Sequence, residues 1–382
     1  MKIEQRKWMR ASGWKPQQAE SLQKSAQLVL LFGSTALLEE QHLIEEVRQR
    51  YPGAHLMGCS TAGEMCGVHV TDDSLVVTAI HFEHSQVRGG SIRLEPPIDS
   101  FHAGEALAAL LDPEGLVHVF ILSDGLSVNG SDLVRGLMTR LPESVTVTGG
   151  LAGDGGRFEK TLVFWDGPPE KDMVVVAGFY GRHLQIGYGS LGGWDPFGPE
   201  RLITRSRGNV LYELDGHSAL ALYRKYLGEH AEGLPATGLL FPLSIRSKTE
   251  ESGVVRTILS VNEEEQSLTF AGDIPEGSYG RLMKANFDRL IDGAHGAATI
   301  SNRAIAPLSA ELAILISCVG RKLVLRQRVE EEVEGVQQVL GNDAILTGFY
   351  SYGEISPFSP GAPCELHNQT MTITVLSEDD GA

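Results

Sequence analysis

Polar side chains suited to ligand binding follow an apolar segment near the C-terminal end of the chain. Tyr352 and Glu354 lie in the sequence GFYSYGE, and His367 and Asn368 precede the alternating segment MTITVLS. A phenol, a carboxylate, an imidazole and an amide at neighbouring strand ends could hold a small polar ligand, because α/β sheets bind ligands at such edges. The same groups could also form a buried hydrogen-bond network without a ligand. Both interpretations stay open at this point.

A similar sequence near the N-terminus, GCSTAGE, carries Cys59, Ser60, Gly63 and Glu64. Ser60 could be a nucleophile, but the hydrolase motif G-x-S-x-G requires glycine where Ala62 stands, so a hydrolase is disfavoured. Cys59 would react only as a thiolate beside a cation or a helix start, and a packed cysteine is the commoner state. We therefore expect this turn to contact a ligand and not to catalyse a reaction.

Two further charged residues complete the predicted site. Asp154 ends the glycine-rich sequence VTGGLAGD, and Arg321 follows the apolar segment LAILISC. Glu64, Asp154 and Glu354 could pair with the ammonium group of an amino acid, and Arg321 with its carboxylate. Neither glycine turn matches a P-loop or a dinucleotide-binding fingerprint, so nucleotide binding is not expected.

A strand–helix–strand pattern that recurs along the chain would position these residues. The copies begin at Ala26–Ser34, Val117–Gly125 and Leu312–Arg321, and further strands follow them, DSLVVTAIHF, MVVVAGFY and QTMTITVLS. Buried strands joined by a crossover helix pair in parallel. The shared G-x(4)-G-E of the first and third copies favours internal duplication. We expect the glycine turns of all copies to surround one cavity.

The predicted fold is α/β, with two domains of layered, mainly mixed or parallel sheets and crossover helices. Residues 1–25 form an N-terminal extension, residues 26–216 an N-terminal domain and residues 217–382 a C-terminal domain. Ser131 is the expected N-cap of the helix in the second copy. An amphipathic helix is expected over Ser278–Asp292.

Composition excludes several classes of protein. The chain has 382 residues, 42% of them apolar, and a net charge of −17, which disfavours nucleic-acid binding and docking on anionic lipid. No apolar segment approaches the ~20 residues of a membrane span, and the N-terminus lacks a signal-peptide core. Four cysteines form no CxxC pair. A cytoplasmic protein with reduced thiols is expected.

Several of these segments in combination resemble the FIST family of sensory proteins. They are GCSTAGE, VTGGLAGD, LGGWDPFG, LYELDGHSALALYRKYLG, AGDIPEGS, SCVGRKLVL, GFYSYGEISP and LHNQTMT. The resemblance runs from about Gln27 to Ser377 and covers both the N-terminal and the C-terminal FIST regions. It implies a cytosolic signal-input module that binds a small ligand and is not an enzyme.

One subset of the family is expected to be the nearest in function. Its members bind haem, sense nitric oxide and regulate a partner histidine kinase in two-component and cyclic-di-GMP signalling. One axial histidine suffices for haem, and His183 and His367 are the candidates: His367 lies in a motif shared across the family and His183 lies outside the shared motifs. The alternative is a sensor of an amino acid or another small polar metabolite without haem. Whether the chain forms a homodimer is left open.

Overall fold

The three predicted strand–helix–strand units form the centres of three six-stranded sheets. The structure, a computed structural model, describes residues 1–16, 22–95, 99–248, 253–358 and 361–379. The strands are β1 Lys2–Met9, β2 Gly13–Lys15, β3 Leu28–Gly33, β4 His55–Ser60, β5 Glu64–Cys66, β6 His69–Thr71, β7 Ser74–His81, β8 Gln86–Arg93, β9 Leu116–Ser123, β10 Thr146–Leu151, β11 Val163–Trp165, β12 Met173–Tyr180, β13 Leu184–Leu191, β14 Trp194–Pro196, β15 Arg201–Arg207, β16 Val210–Leu214, β17 His217–Ser218, β18 Leu243–Arg246, β19 Val254–Arg256, β20 Ile258–Asn262, β21 Ser267–Phe270, β22 Tyr279–Ala285, β23 Leu312–Cys318, β24 Ile345–Ser351, β25 Gly353–Pro357, β26 Cys364–His367 and β27 Met371–Glu378.

Helices cover the outer faces of these sheets. They are α1 Thr35–Leu38, α2 Gln41–Arg50, α3 Ser100–Ala109, α4 Gly130–Met138, α5 Ala219–Leu227, α6 Phe287–Ala304, α7 Val319–Leu325 and α8 Val329–Leu340, with short 3₁₀ helices at Gly228–Gly233, Ala236–Leu240 and Arg326–Arg328. Within the described ranges, every helix is too short or too polar to traverse a lipid bilayer.

Each sheet repeats the same central arrangement. The strand orders are β11-β4-β3-β7-β1-β2, β26-β25-β10-β9-β12-β8 and β13-β27-β23-β24-β5-β6. The two strands of each unit pair in parallel, as β3 with β4, β9 with β10 and β23 with β24. The following strand, β7, β12 or β27, pairs antiparallel with the first strand of its unit. The predicted α/β fold with repeated strand–helix–strand units is confirmed.

The short strand after each glycine turn leaves its own sheet and joins a neighbouring one. β5 of the first unit pairs with β24 of the third, and β25 of the third unit pairs with β10 of the second. β11, after the second unit, pairs with β4 of the first. The three sheets therefore exchange edge strands in a closed cycle, and the glycine turns are the points where the chain crosses from sheet to sheet.

Alternation along the first strand of each unit divides the core in two. Leu30, Phe120 and Ile314 face a core that the three sheets share. Val29 and Leu31 point to the other face of their sheet, where they pack under α1 and α2. Both faces of these strands are apolar because both are covered, which is typical of strands that pair in parallel.

Two glycines on β13 allow a helix to approach the third sheet. A Cβ atom at Gly187 would lie 2.0 Å from the carbonyl oxygen of Ser301, and one at Gly189 would lie 2.3 Å from that of Ala297. Ser301 and Ala297 belong to α6, so only a strand without side chains at these positions lets α6 lie directly on it.

A fourth, nine-stranded sheet lies between the second and third units in sequence. Its strand order is β19-β18-β22-β15-β16-β21-β20, with β14 on β22 and β17 on β16. Three of the four sheets contain strands from both sides of the predicted boundary near Gly216, so this boundary divides the sequence but not the sheets. The predicted extension of residues 1–25 contains β1, which pairs with β7 and belongs to the first sheet.

Two predicted helix positions differ from the structure. The N-cap of α4 is Asn129, whose side chain accepts hydrogen bonds from the amides of Ser131 and Asp132, so the prediction of Ser131 as N-cap was wrong. The predicted helix Ser278–Asp292 is instead β22 followed by α6. The burial pattern of β22 alternates along the strand, and its pairing with β18 overrides the helical spacing of the sequence.

Candidate functional site

The glycine turns of the three units meet, as the sequence predicts. The amide of Gly153 donates to the carbonyl oxygen of Ser60 at 2.9 Å, and the amide of Ala62 donates to that of Tyr350 at 2.8 Å. The third turn contacts the second through the pairing of β25 with β10. These contacts are backbone hydrogen bonds, so the turns close on one another directly instead of surrounding the predicted cavity.

Glu64 and Glu354 form matching hydrogen-bond networks at this junction. In the first unit, Thr61 Oγ1 donates to Glu64 Oε1 at 2.5 Å, and Ser74 donates to Oε2 through its amide at 3.1 Å and its hydroxyl at 2.7 Å. In the third unit, Ser351 Oγ donates to Glu354 Oε1 at 2.6 Å. Thr370 then donates to Oε2 through its amide at 3.1 Å and its hydroxyl at 2.9 Å.

Burial dominates the protonation of both glutamates. It raises the pKa of Glu64 to about 7 and that of Glu354 to about 8, although the hydroxyl and amide donors act in the opposite direction. Both side chains are almost fully buried. Each carboxyl therefore holds the end of an exchanged strand in place, and near neutral pH each exists in part as the neutral acid.

Asp154 occupies the corresponding position of the second unit but has different partners. Leu151 stands where the other units have a hydroxyl residue. The carboxylate instead accepts from the amides of Phe158, Glu159 and Lys160 at 2.8–2.9 Å and from the hydroxyl of Tyr352. Burial raises the pKa of this carboxyl, but the combined donors outweigh it and leave the pKa lowered.

Tyr352 is therefore bound within the junction. Its hydroxyl also contacts the carbonyl oxygen of Gly155 at 3.1 Å, and its ring stacks on Phe158 with centroids 4.3 Å apart. Burial, followed by the hydrogen bond to Asp154, raises its pKa. The phenol lies between two turns and serves their packing.

Arg321 does not face a ligand site. Its guanidinium donates from Nε and Nη2 to Glu332 Oε2 at 3.1 and 2.8 Å, and to the carbonyl oxygens of Gly192 and Leu290, each at 2.7 Å. The side chain is fully buried. An ion pair and two carbonyls occupy the donors that the sequence assigned to a ligand carboxylate.

The remaining predicted ligand contacts are also internal. Ser60 Oγ accepts from the amide of Leu162 at 2.9 Å, and burial raises the pKa of the Cys59 thiol well above its ordinary value. Gly63 has φ +134°, a conformation that favours glycine, and the Lys322 ammonium lies against it. Asn368 Nδ2 donates to the carbonyl of Tyr352 at 3.3 Å.

The two histidines proposed for haem differ in their surroundings. His367 is buried, its Nε2 contacts the carbonyl oxygen of Ser356 at 2.9 Å, and burial lowers its pKa to about 4. It does not fit an axial ligand, because this bond occupies the nitrogen that would bind iron. His183 is partly exposed, and its Nδ1 lies 2.6 Å from Asp379 Oδ1. This pairing fits the usual orientation of a metal-binding imidazole, although Arg182 Nε lies 3.4 Å from Nε2.

The larger of two cavities among the described residues is not lined by the glycine turns, although Leu366 on its wall lies beside Gly353. Its volume is about 540 Å³. It lies between α4, strands β18 and β19, the segment around Asp273, and Phe358 with residues 362–366, and we name it the Arg256 cavity. Its walls include Ser131, Val134, Ile245, Arg256, Asp273 and Phe358. None of the predicted site residues lines this cavity or the smaller one near Trp14.

Arg256 is the residue that sequence reasoning missed. It is only 6% exposed, and burial lowers its pKa to about 10. A signal was present in the sequence VVRTI, where an arginine takes the strand position between Val254 and Ile258. A charged residue at an inward position of a strand requires a partner, but the sequence does not reveal which partner.

Comparison with known proteins agrees with the predicted resemblance. The FIST N domain matches residues 27–217 and the FIST C domain matches residues 219–357. The chain is 24% identical over 358 residues to the uncharacterized protein MJ1623 of Methanocaldococcus jannaschii, and the match covers 85% of this chain and 65% of that protein. The chain thus spans slightly less than two thirds of the length of this relative.

A solved structure also aligns over most of the chain. It is the crystal structure of a cyanuric acid hydrolase from A. caulinodans, with 9% identity and a TM-score of 0.32 over 93% of this chain and 91% of that one. A similarity at this level supports no inference about function. The two domain matches do, and together they place the chain in the FIST family, whose domains are small-ligand sensors of signal transduction.

Proposed function

We propose that this chain is a signal-input protein that alters the activity of a partner histidine kinase when a small ligand occupies the Arg256 cavity. One observation carries the proposal: the cavity lies where the two matched regions meet. Ser131 and Val134 of α4 belong to the FIST N region, whereas Ile245, Arg256 and Asp273 belong to the FIST C region. A ligand there contacts both regions at once.

A ligand in this position would favour the arrangement in which both walls contact it. A ligand shifts a conformational equilibrium only by its differential affinity for the two states, and a few kcal/mol are sufficient. The exchanged edge strands also connect the two regions, and the buried Glu64 and Glu354 networks hold those strands in place. The Arg256 cavity is thus the place where ligand contacts could change the relation of the two regions.

The proposed activity is binding and not catalysis. Ser60, the one candidate nucleophile of hydrolase type, is buried, and its hydroxyl accepts a hydrogen bond from the amide of Leu162. Burial raises the pKa of Cys59, which disfavours the reactive thiolate. The proposal places the chain in the cytosol, where reduced thiols suit its four free cysteines.

A thermal-shift screen of the purified chain tests ligand binding. Candidate metabolites, including amino acids and other carboxylates, are added one at a time, because a ligand that binds the folded state raises the melting temperature by mass action. The positive compounds are then added to autophosphorylation assays of the host's histidine kinases with and without the chain. A ligand-dependent change in phosphorylation supports the proposal, and stabilising ligands that leave every kinase unchanged contradict the proposed output.

A second candidate function is a haem-based nitric oxide sensor with the same kinase output. The pair of His183 with Asp379 favours it, because a carboxylate at Nδ1 orients the ring and leaves Nε2 toward a metal. Bound haem would supply an iron that binds nitric oxide. His183 would hold the group, Asp379 would fix the imidazole tautomer, and Arg182 would have to turn away from Nε2.

Visible spectroscopy separates the two candidates. The chain is purified with haem supplied, and spectra are recorded with and without nitric oxide for the wild type, for His183→Leu and for the control His69→Leu, whose ring is exposed. A stoichiometric Soret band that is lost only in His183→Leu supports haem binding at this site. Weak binding that is equal in all three proteins contradicts it.

A further inference from the structure

Arg256 is a buried cation that forms no direct ion pair with a carboxylate of the described residues, although Glu365 and Asp273 attract it from a greater distance. Its Nη1 donates to the carbonyl oxygens of Leu366 at 2.9 Å and Val255 at 3.3 Å, and its Nε donates to that of Asp273 at 3.4 Å. Within the described part of the chain, Nη2 has no hydrogen-bond partner. Carbonyl oxygens satisfy donors but do not neutralise the charge.

The charge of Arg256 persists at neutral pH. Burial lowers its pKa, but only to about 10, so the guanidinium stays protonated. A buried cation is unfavourable unless an anion lies beside it. Because Arg256 lines the cavity, an oxyanion that enters can bind the guanidinium directly through charge-assisted hydrogen bonds, which the more distant carboxylates do not form.

Ser131 provides a second polar group in the lining of the cavity. Its hydroxyl is buried and has no hydrogen-bond partner among the described residues, and the residue lines the same cavity. The first amides of α4 are already occupied, because Asn129 Oδ1 accepts from Ser131 and Asp132 at 3.0 and 3.2 Å. The helix therefore offers this hydroxyl, and not its amides, to a ligand.

The charges around the cavity favour a monoanion. Asp273 and Glu365 also line it, and Arg135, which is largely exposed, already pairs with Asp132 and lies 3.9 Å from Asp273. A dianion such as phosphate would meet two carboxylates with only one unneutralised cation. The adjoining walls include the apolar side chains of Val134, Ile245, Val254, Phe358 and Pro363.

We propose that the Arg256 cavity binds a small organic monocarboxylate, with its carboxylate on Arg256 and Ser131 and its apolar body against Phe358, Val134 and Ile245. This inference rests on the proposed function, since it names the class of ligand for the same cavity. The apolar walls supply most of the binding energy through burial, and Arg256 selects the charge of the ligand.

Isothermal titration of the full chain tests the inference with defined probes. The probes are hexanoate and phenylacetate, their neutral amides, leucine and inorganic phosphate. The monocarboxylates are expected to bind, and Arg256→Gln is expected to weaken them roughly ten- to hundredfold, the range for loss of a charged hydrogen bond. Arg135→Gln, on the same cavity but exposed and already paired, is expected to change the affinity less than threefold.

If Arg256→Gln fails to fold, Arg256→Lys provides a second variant in which the role of Arg256 in ligand binding can be measured. Lysine retains the charge but not the planar fork, so carboxylate binding should weaken and remain measurable. Equal affinity for acids and amides, tighter binding of phosphate, or unchanged affinity in folded Arg256 variants would each overturn the inference.

A Phe358→Trp variant distinguishes failure of this inference from failure of the proposed function. Phe358 is 37% exposed on the cavity wall, so tryptophan fluorescence there reports occupancy whatever the charge of the ligand. If neutral amides or screening hits change the emission and monocarboxylates do not, the carboxylate assignment fails while a cavity for small ligands stands. If no compound changes the emission, both proposals fail.

Discussion

Two arginines are buried in different regions of the molecule, and their surroundings differ. Arg321, in α7, donates to Glu332 of α8 and to two carbonyl oxygens. Glu332 in turn accepts from Tyr350 at 2.6 Å and from Ser317 at 3.2 Å. Arg256, beside its cavity, donates to three carbonyl oxygens and to no carboxylate within the described ranges.

The difference teaches that neutralisation, and not burial, separates a structural arginine from a candidate ligand-binding one. A buried ion pair whose remaining donors are hydrogen-bonded needs no ligand to neutralise it. Removing one partner leaves the other charge uncompensated. A buried cation whose hydrogen bonds all go to carbonyl oxygens, with carboxylates only at a greater distance, can still bind an anion directly. The following changes test this distinction, from the largest expected effect to the smallest.

Arg321→Met should lower the free energy of unfolding by about 3–5 kcal/mol, because Glu332 would remain buried without its cation. Urea denaturation measures the change. The control is Arg328→Gln, which removes an exposed ion pair with Glu331 and should have little effect. The double variant Arg321→Met with Glu332→Leu should recover much of the loss, and failure of any recovery would show that the charge imbalance is not the cause.

Asp154→Asn should cost about 1.5–3 kcal/mol, the range for hydrogen bonds to a charged group. Its carboxylate accepts from three amides and from Tyr352, and its ion pair with the largely exposed Arg157 is long, at 3.9 Å, so hydrogen-bond donors supply most of its stabilisation. The lowered pKa means that its stabilisation is present above the unfolded pKa and is lost as pH falls through the folded pKa. Denaturation at pH 7 and pH 3 measures both effects, with the exposed Asp343→Asn as control.

Glu354→Gln should remove a fall in stability that the wild type shows with rising pH. Because the folded pKa of Glu354 is about 8 against an ordinary 4.5, the folded state holds a proton that the unfolded state has lost. Stability therefore declines as pH rises from about 4.5 through 8. Glutamine mimics the protonated acid, so urea denaturation from pH 5 to pH 9 should give a flatter profile.

Arg256→Met should change the stability of the ligand-free chain by no more than about 1 kcal/mol. The variant loses hydrogen bonds to carbonyls but also removes a buried charge that has no direct ion pair, and the two effects oppose each other. Denaturation alongside Arg321→Met gives the direct comparison. A loss as large as that of Arg321→Met would make Arg256 a structural residue and end the distinction.

Sequence reasoning succeeded where the information is local. The apolar first strands, the crossover helices and the third strands follow from short-range periodicity, and all three units are present. The shared glycine and glutamate of the first and third units also marked equivalent positions. In both units one hydroxyl donates to Oε1 of the glutamate and a second hydroxyl donates to Oε2. Local pattern misplaced β22, whose conformation depends on its partner strand.

The candidate site shows the opposite case. The sequence grouped Glu64, Asp154, Glu354 and Tyr352 correctly, because all lie at or beside turns that must meet. It assigned them to a ligand, whereas hydroxyls and amides from distant segments bind them, such as Ser74 for Glu64 and Thr370 for Glu354. Arg256 was overlooked because Leu366, its nearest acceptor, lies 110 positions away.

The chain by itself determined the family, the three repeated units and the residues that meet at the glycine turns, because strand periodicity and turn chemistry act over a few neighbouring positions. Only the tertiary structure decided which buried charges form a direct ion pair and which line a cavity. Neutralisation depends on distances of a few ångströms between segments far apart in sequence, and the exchange of edge strands among three sheets sets those distances.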